Sequence, residues 1–200
     1  RSTQAALERA DVVLAVGCGR SEEGSLPSPS SSGAFQEEAA RLAGLTFEKP
    51  PERVELDDAA FLDRLAREHV PSAPRTELYR NLGWLKDRDD PVAVARGALA
   101  QSGISSFYSL KENKVYERKD FAFDRLRPRS DGLMREYRRL RVLVSYVTAL
   151  YVQKTEAGRL ARDARDDETA WSLRASLEGA ASARVAPLFG QARMDEVKGI

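Results

Sequence analysis

Residues 140–150 read LRVLVSYVTAL, and this stretch decides the fold. Its apolar side chains recur at the spacing of one helical face, at Leu140, Leu143, Val144, Val147 and Leu150. A helix with such a face has to bury it against other elements. The pattern therefore predicts a long helix in the core of the protein.

A second long helix is predicted over residues 166–184. The side chains predicted to face inward are Ala170, Leu173, Leu177, Ala180 and Ala181. Asp166, Asp167 and Glu168 stand at its N-terminal end, where the helix dipole favours negative charge. With Asp163 they could also bind a hard cation, but they lack the alternation and the glycine of a calcium loop. Helix capping is the favoured interpretation.

A β-hairpin is predicted ahead of these helices. Ile104–Leu110 and Lys114–Arg118 are rich in β-branched and aromatic residues, and a polar turn, Lys111–Asn113, separates them. Upstream, the patterns predict helices over residues 34–45, 76–86 and 91–101 and a short strand at Val54 and Leu56. The fold class is therefore α+β and predominantly helical, with the hairpin packed by the two long helices.

One further helix is predicted to begin at the N-cap Asp57 and to end before Pro71. His69, the only histidine, falls in its last turn. A surface position is the favoured interpretation, with the cationic imidazole stabilised by the helix dipole.

Composition excludes several classes of function. Lys plus Arg total 32 against 31 Asp plus Glu, so a net charge of +1 gives no overall attraction to nucleic acid or to an anionic membrane. The single cysteine, Cys18, cannot form an internal disulfide. The single histidine excludes sites that need two or three imidazoles, which removes most catalytic zinc arrangements.

The N-terminal region, residues 1–33, is predicted to be a segment outside the folded domain, which then spans residues 34–200. Leu14-Ala15-Val16-Gly17-Cys18 followed by a Ser/Pro/Gly-rich linker is similar to a bacterial lipoprotein signal with an acylated cysteine. Glu8, Arg9 and Asp11 interrupt the apolar region that such a signal needs, so a buried segment with a free thiol is favoured. No apolar run reaches the ~18 residues that span a bilayer.

Three motifs occur in a recognisable order. The hairpin carries ISSFY and KVYER, the first long helix carries VLVSYVTAL, and the second carries LEGAA. Upstream, LTFEKP at residues 45–50 leads to Val54, Leu56 and Phe61. From residue 35 to the C-terminus the chain thus resembles a family of bacterial zinc metallopeptidases with a zincin-like fold, in which GFYDP…LYV, LVHELTHALQDQ and LVEGDA stand at these places.

The resemblance implies a zinc site that has lost its ligands. In the family, two histidines one helical turn apart bind zinc, and the glutamate after the first activates the bound water. Those positions are Ser145, Ala149 and Tyr146 in this chain, and only Glu178 matches, at the third-ligand position. One carboxylate cannot hold catalytic zinc, so no metal or other cofactor is expected. Glu178 is expected to be buried, with Tyr146 as a hydrogen-bond donor.

The function predicted is that of a pseudoenzyme: a catalytically inactive metallopeptidase-like protein with a binding or structural role in the cell envelope. Its location is predicted as secreted or periplasmic, otherwise cytoplasmic, and its partner as a protein or peptide.

An alternative is a helical interaction module that binds an acidic partner through an arginine-rich segment. Its residues are Arg127, Arg129, Arg135, Arg138 and Arg139. Nucleic acid is not expected, because no nucleic-acid motif accompanies them. A hydrolase that uses Ser145 with Tyr146 or Lys154 is the third hypothesis, although no base is visibly placed to activate the serine.

Overall fold

The long core helix is the centre of the structure. A computed structural model describes residues 32–100, 102–119 and 131–188, with side chains of the last range described from residue 135. The core helix is α5 (Asp131–Lys154). It packs against α1 (Ser32–Ala43), against α7 (Asp167–Val185) and against strand β2 (Ser106–Ser109). The predicted apolar face is buried, and so is every other residue from Val142 to Leu150, which the pattern of one face did not predict.

The other described elements follow here in chain order. They are β1 (Glu52–Leu56), α2 (Asp58–His69), α3 (Ala73–Asn81), α4 (Pro91–Leu99), β3 (Lys114–Arg118), α6 (Glu156–Asp163) and a short 3-10 turn (Ala186–Leu188).

The sheet has three strands in the order β1-β3-β2. β2 and β3 form the predicted hairpin and pair antiparallel, with Ser106 opposite Glu117. β1 pairs parallel with β3, with Glu52 opposite Lys114. Parallel neighbours need a crossover connection, and here the chain from α2 to β2 provides it.

The core consists of two clusters of buried residues. The larger one surrounds α5 and includes Phe35, Leu143, Tyr146 and Leu177. The smaller one lies between α2 and the other side of the sheet and includes Phe61, Leu65, Phe107 and Tyr116. β2 contributes to both, because successive side chains of a strand point to opposite faces. Phe107 thus joins the smaller cluster and Tyr108 the larger.

The predicted fold class, α+β and predominantly helical, is confirmed. Asp57 caps α2 by accepting from Ala60 N at 2.8 Å, and Asp166 caps α7 by accepting from Thr169 N at 2.8 Å. α3 lies earlier than predicted, since Pro74 occupies its first turn and Gly83 at φ 71° follows its end.

Three other details differ from the prediction. Helix α1 begins at Ser32, two residues before the predicted Ala34, because Ser32 and Gly33 add a first turn ahead of the buried Phe35. Ala180 is exposed; the buried residues of α7 are Arg174, Leu177, Ala181 and Val185. Helix α6 was not predicted. Cys18, the rest of residues 1–31 and the C-terminal residues 189–200 lie outside the described residues.

Candidate functional site

A cleft opens where α5, α7, α2 and β2 meet. It has a cavity volume of about 60 Å³. Its lining residues are Leu65, His69, Ile104, Ser106, Phe107, Tyr108, Arg141, Val144, Ser145, Thr148, Arg174, Glu178 and Ser182. Two of the four positions inferred from the metallopeptidase resemblance, Ser145 and Glu178, are therefore brought together in one cleft.

Helical spacing explains which residues of α5 and α7 reach the cleft. Arg141, Ser145 and Thr148 lie one turn apart along α5. Arg174, Glu178 and Ser182 follow the same spacing along α7. These two stripes form opposing walls.

Three hydroxyl groups of the cleft, on Ser106, Ser145 and Thr148, are already hydrogen-bonded to the protein. Ser145 Oγ lies 2.7 Å from Ser106 Oγ and 3.3 Å from the carbonyl oxygen of Arg141. Thr148 Oγ1 donates to the carbonyl oxygen of Val144 at 2.9 Å. Since these hydroxyl protons can be accounted for within the protein, the lone pairs are what the hydroxyls can offer to a ligand.

The other two positions do not face the cleft. Tyr146 is fully buried and stacks on Phe35 with ring centroids 5.8 Å apart, and Phe47 meets it edge-on at 6.4 Å. Burial raises the pKa of its phenol. Ala149 is fully buried in the larger cluster. Of the three α5 positions that the family motif uses, only Ser145 reaches the cleft.

Glu178 differs from its prediction in burial and in partner. Its side chain is 44% exposed, so it is not a buried carboxylate. Its Oε1 accepts from Arg174 Nε at 3.2 Å, one turn earlier on α7, and not from Tyr146, which packs toward α1. Glu178 therefore stands at the edge of the cleft as half of an ion pair.

Arg174 is only 9% exposed, and each nitrogen of its guanidinium group contacts an oxygen atom of the protein. Its Nη2 donates to the carbonyl oxygen of Tyr108 at 3.0 Å, and its Nη1 lies 3.5 Å from Glu68 Oε2. Glu68 is 5% exposed and also accepts from Ser109 Oγ at 2.6 Å. Arg174 thus ties α7 to α2 and to the hairpin, and its charge is neutralised.

The prediction that His69 is a cationic surface residue was wrong. His69 is half-buried in the cleft wall, and its Nδ1 donates to the carbonyl oxygen of Leu65 at 2.8 Å. Burial lowers its pKa, and the nearby charge of Arg174 lowers it further, against smaller opposing effects of the Leu65 carbonyl, Glu178 and Glu68. The neutral imidazole leaves Nε2 as an acceptor for a ligand.

Two residues of the arginine-rich segment, Arg138 and Arg139, are engaged within the protein. Arg139 is 10% exposed and pairs with Glu38 at 2.5 Å and with Glu136 at 3.1 Å. Arg138 donates to the carbonyl oxygen of Lys119 at 2.8 Å. Arg135 is exposed, and Arg127 and Arg129 lie outside the described residues. Arg138 and Arg139 thus hold α5 to its neighbours, and Arg138, with a side chain that is 32% exposed, is the more accessible of the two.

The family's zinc would not fit these residues. Ser145 and Ala149 supply no imidazole, and Tyr146 points elsewhere. Within residues 32–100, 102–119 and 131–188, no group of three or more His, Cys, Asp or Glu side chains could hold a metal ion. Of the acidic residues at the start of α7, Asp166 is the N-cap, as predicted.

Comparisons with known proteins gave no match to a family model, to a curated protein or to a solved structure. The metallopeptidase resemblance thus stays a prediction. None of the described helices is both long and apolar enough to cross a membrane.

Sequence reasoning missed most of the polar residues of the cleft. Arg141 was grouped with its basic neighbours, and His69 was assigned to the surface. Arg174 stands in no motif, and Ser106 lies in the hairpin motif ISSFY but was given no role of its own. Arg174 did carry a signal, since it interrupts the apolar stripe of α7 between Leu173 and Leu177, where a long polar side chain has to reach a buried partner.

Proposed function

We propose that this chain is a catalytically inactive metallopeptidase-like protein whose cleft binds a ligand without cleaving it. One observation carries the proposal. Ser145 and Glu178, which occupy the first and third ligand positions of the resembled family, line one cleft although they are far apart in sequence. This grouping supports the proposal, because the resemblance would put the family's zinc site at this cleft, and the residues here are of types that do not bind zinc as a set.

The size of the cleft limits the ligand. A cavity of about 60 Å³ has room for roughly four to six water molecules at ~10–15 Å³ each. That space suits a small molecule or the end group of a peptide better than a length of extended chain. The peptide or protein partner expected from the sequence would therefore insert only a terminal group.

The claim that the cleft does not bind zinc is tested by elemental analysis of the purified full chain and by zinc titration followed by calorimetry. We expect no stoichiometric zinc, because the site lacks two nitrogen ligands. One tightly bound zinc per chain would overturn the proposal. In that case loss of zinc in His69→Gln and Glu178→Gln would locate the site in the cleft.

The claim that the cleft binds a ligand is tested by NMR titration of the isotope-labelled full chain with a mixture of small polar fragments and short peptides. We expect backbone amide shifts to concentrate on the residues that line the cleft. Ser182→Trp is the matched control, since the half-buried Ser182 lies in the cleft wall and a large ring there should fill the space. Shifts that persist unchanged in Ser182→Trp, or no shifts at all, would contradict ligand binding at this cleft.

The cell envelope is the location that we propose, and it rests on the lipoprotein-like segment around Cys18. Cells that express the full gene product would incorporate labelled palmitate into the protein, and Cys18→Ser would abolish the label. An unlabelled wild-type protein would remove the argument for an envelope location.

A further inference from the structure

Arg141 differs from the other arginines of the cleft region. Arg64, Arg138, Arg139 and Arg174 each contact a carboxylate. Arg141 has no ion pair with any of the described residues, and its buried Nε has no hydrogen-bond acceptor among them. The Nε atoms of Arg64 and Arg138 also lack an acceptor, but other nitrogens of those two guanidinium groups reach carboxylates. Leaving a buried charged donor without an acceptor is unfavourable, and such a group calls for a partner.

The position of Arg141 points to a partner within the cleft. It lies in the cleft wall one helical turn before Ser145. The second cation of the cleft, Arg174, is already neutralised by Glu68 and Glu178. The positive charge that remains to be matched is therefore that of Arg141.

We propose that the cleft is an oxyanion-binding site in which the Arg141 guanidinium binds the carboxylate or phosphate group of a small ligand. This inference rests on the proposed function and names the chemistry of its ligand. A guanidinium presents its N–H groups as a planar fork that matches two oxygens of either group. The small volume of the cavity agrees with this proposal, because a carboxylate or phosphate group has only a few non-hydrogen atoms.

The other polar residues of the cleft select the form of the anion. The lone pairs of Ser106, Ser145 and Thr148 and the Nε2 atom of neutral His69 accept hydrogen bonds. A ligand with its own O–H or N–H beside the oxyanion would satisfy them. A ligand without such a donor would leave Nε2 unmatched unless His69 is protonated, so its affinity should increase as the pH falls. The charged groups that face His69 are Arg174, Glu178 and Glu68.

The experiment is an NMR titration of the labelled full chain with sodium acetate and, separately, with inorganic phosphate, at constant ionic strength. The N–H resonance of the Arg141 side chain is observed directly. We expect it to shift with the same midpoint as the cleft amides, which ties the guanidinium to the anion without any substitution. Acetate and phosphate distinguish the two sources of the oxyanion, and the tighter-binding one identifies the ligand class.

Arg141→Gln should weaken the tighter anion on the order of tenfold or more, since charge-assisted hydrogen bonds are lost. The matched control is Arg135→Gln, which removes the same charge from an exposed position of the same helix and should change the affinity less than twofold. Thermal unfolding of both variants verifies that they are folded.

An unmoved Arg141 resonance at saturating anion, or equal affinities of Arg141→Gln and wild type, would overturn the oxyanion assignment. If neutral fragments still bound in the cleft, the proposed function would stand while this inference failed. Stoichiometric zinc would instead contradict the proposed function itself, so the two failures are distinguishable.

Discussion

Gly158 lies where the first turn of α6 passes over the end of α5. A Cβ atom at this position would meet the backbone of Val152 and would lie 2.5 Å from the carbonyl oxygen of Tyr151. Backbone atoms cannot turn aside as a flexible side chain can. Only glycine therefore allows α6 to follow α5 with a single residue, the N-cap Thr155, between them.

We predict that Gly158→Ala lowers the free energy of unfolding by about 2–4 kcal/mol, because the two helices have to move apart. Gly179→Ala is the control, since its Cβ would meet nothing within 4 Å, and alanine in a helix should stabilise by up to ~1 kcal/mol. Urea denaturation of both variants measures the difference. Equal stabilities would mean that the α5–α6 contact is looser than described.

His69 is the residue whose charge the structure controls most directly. Burial and Arg174 lower its pKa below the ordinary value of 6.5. Because the folded pKa is depressed, its contribution to stability is present above pH 6.5 and is lost as the pH falls through the folded pKa. The charged groups that face it are Arg174, Glu178 and Glu68.

Acidification from pH 7.5 to pH 5 should therefore destabilise the wild-type protein more than His69→Gln. Urea denaturation at both pH values measures this, and the difference between the two proteins removes the contribution of carboxylates that both share. The imidazole NMR titration should have its midpoint below pH 6.5. A midpoint above 6.5 would show that the cation is favoured, as the sequence alone predicts.

At the level of elements, the hairpin turn depends on Asn113. Its φ of 54° is in the left-handed region, which asparagine adopts more easily than most residues. Its side chain accepts from Tyr108 Oη at 2.9 Å and donates to the carbonyl oxygen of Lys49 at 3.1 Å. The turn is thereby attached to the segment between α1 and β1.

Two substitutions separate these roles. Asn113→Gly loses the side-chain hydrogen bonds but fits the backbone, whereas Asn113→Ala loses them and adds strain. We expect Asn113→Ala to be less stable than Asn113→Gly by about 1 kcal/mol, and both to be less stable than wild type. Thermal unfolding measures the order. An alanine variant as stable as the glycine variant would contradict a strained turn.

Elements held by local interactions could be predicted from the sequence. The buried run of α5, the caps Asp57 and Asp166 and the hairpin each depend on residues close in the chain. α6 was missed although its eight residues are strongly amphipathic, because it is short and its two buried residues, Gly158 and Ala161, are small. The parallel pairing of β1 with β3 was missed because it depends on a crossover, not on local pattern.

The candidate site was predictable only in part, for the same physical reason. Ser145 and Glu178 stand in motifs, so the sequence could name them. Arg141, Arg174 and His69 acquire their roles because three helices cross at one place, and spacing along each helix does not fix that crossing. Tyr146 was expected beside Ser145 in the cleft, but consecutive residues of a helix point in different directions, and Tyr146 packs against α1.

At the level of the whole molecule, Arg174 connects the smaller and larger core clusters. It reaches from α7 to Glu68 on α2 and to the hairpin at Tyr108. Removing it would leave the buried carboxylate of Glu68 with weaker partners, Ser109 and Arg64. A buried charge deprived of its partner is strongly destabilising.

We predict that Arg174→Met lowers the free energy of unfolding by about 3 kcal/mol. The double variant Glu68→Gln with Arg174→Met should recover part of this loss, because the unpaired charge is then absent. Glu178→Gln is the control and should cost less than ~1 kcal/mol, since its pair is well exposed. Chemical denaturation of the three variants tests the scheme. No recovery in the double variant would assign the loss to packing of the arginine stem.

The parallel pairing of β1 with β3 also constrains the order of folding. The hairpin joins neighbouring residues and can close within about 1–10 μs, whereas Glu52 has to find Lys114 across the whole α2–α4 crossover. Such distant pairings are the slow step of small mixed domains. We therefore expect the edge of β3 to stay unpaired until late in folding, as a transient template for strands of other chains, until the backbone of β1 pairs with it.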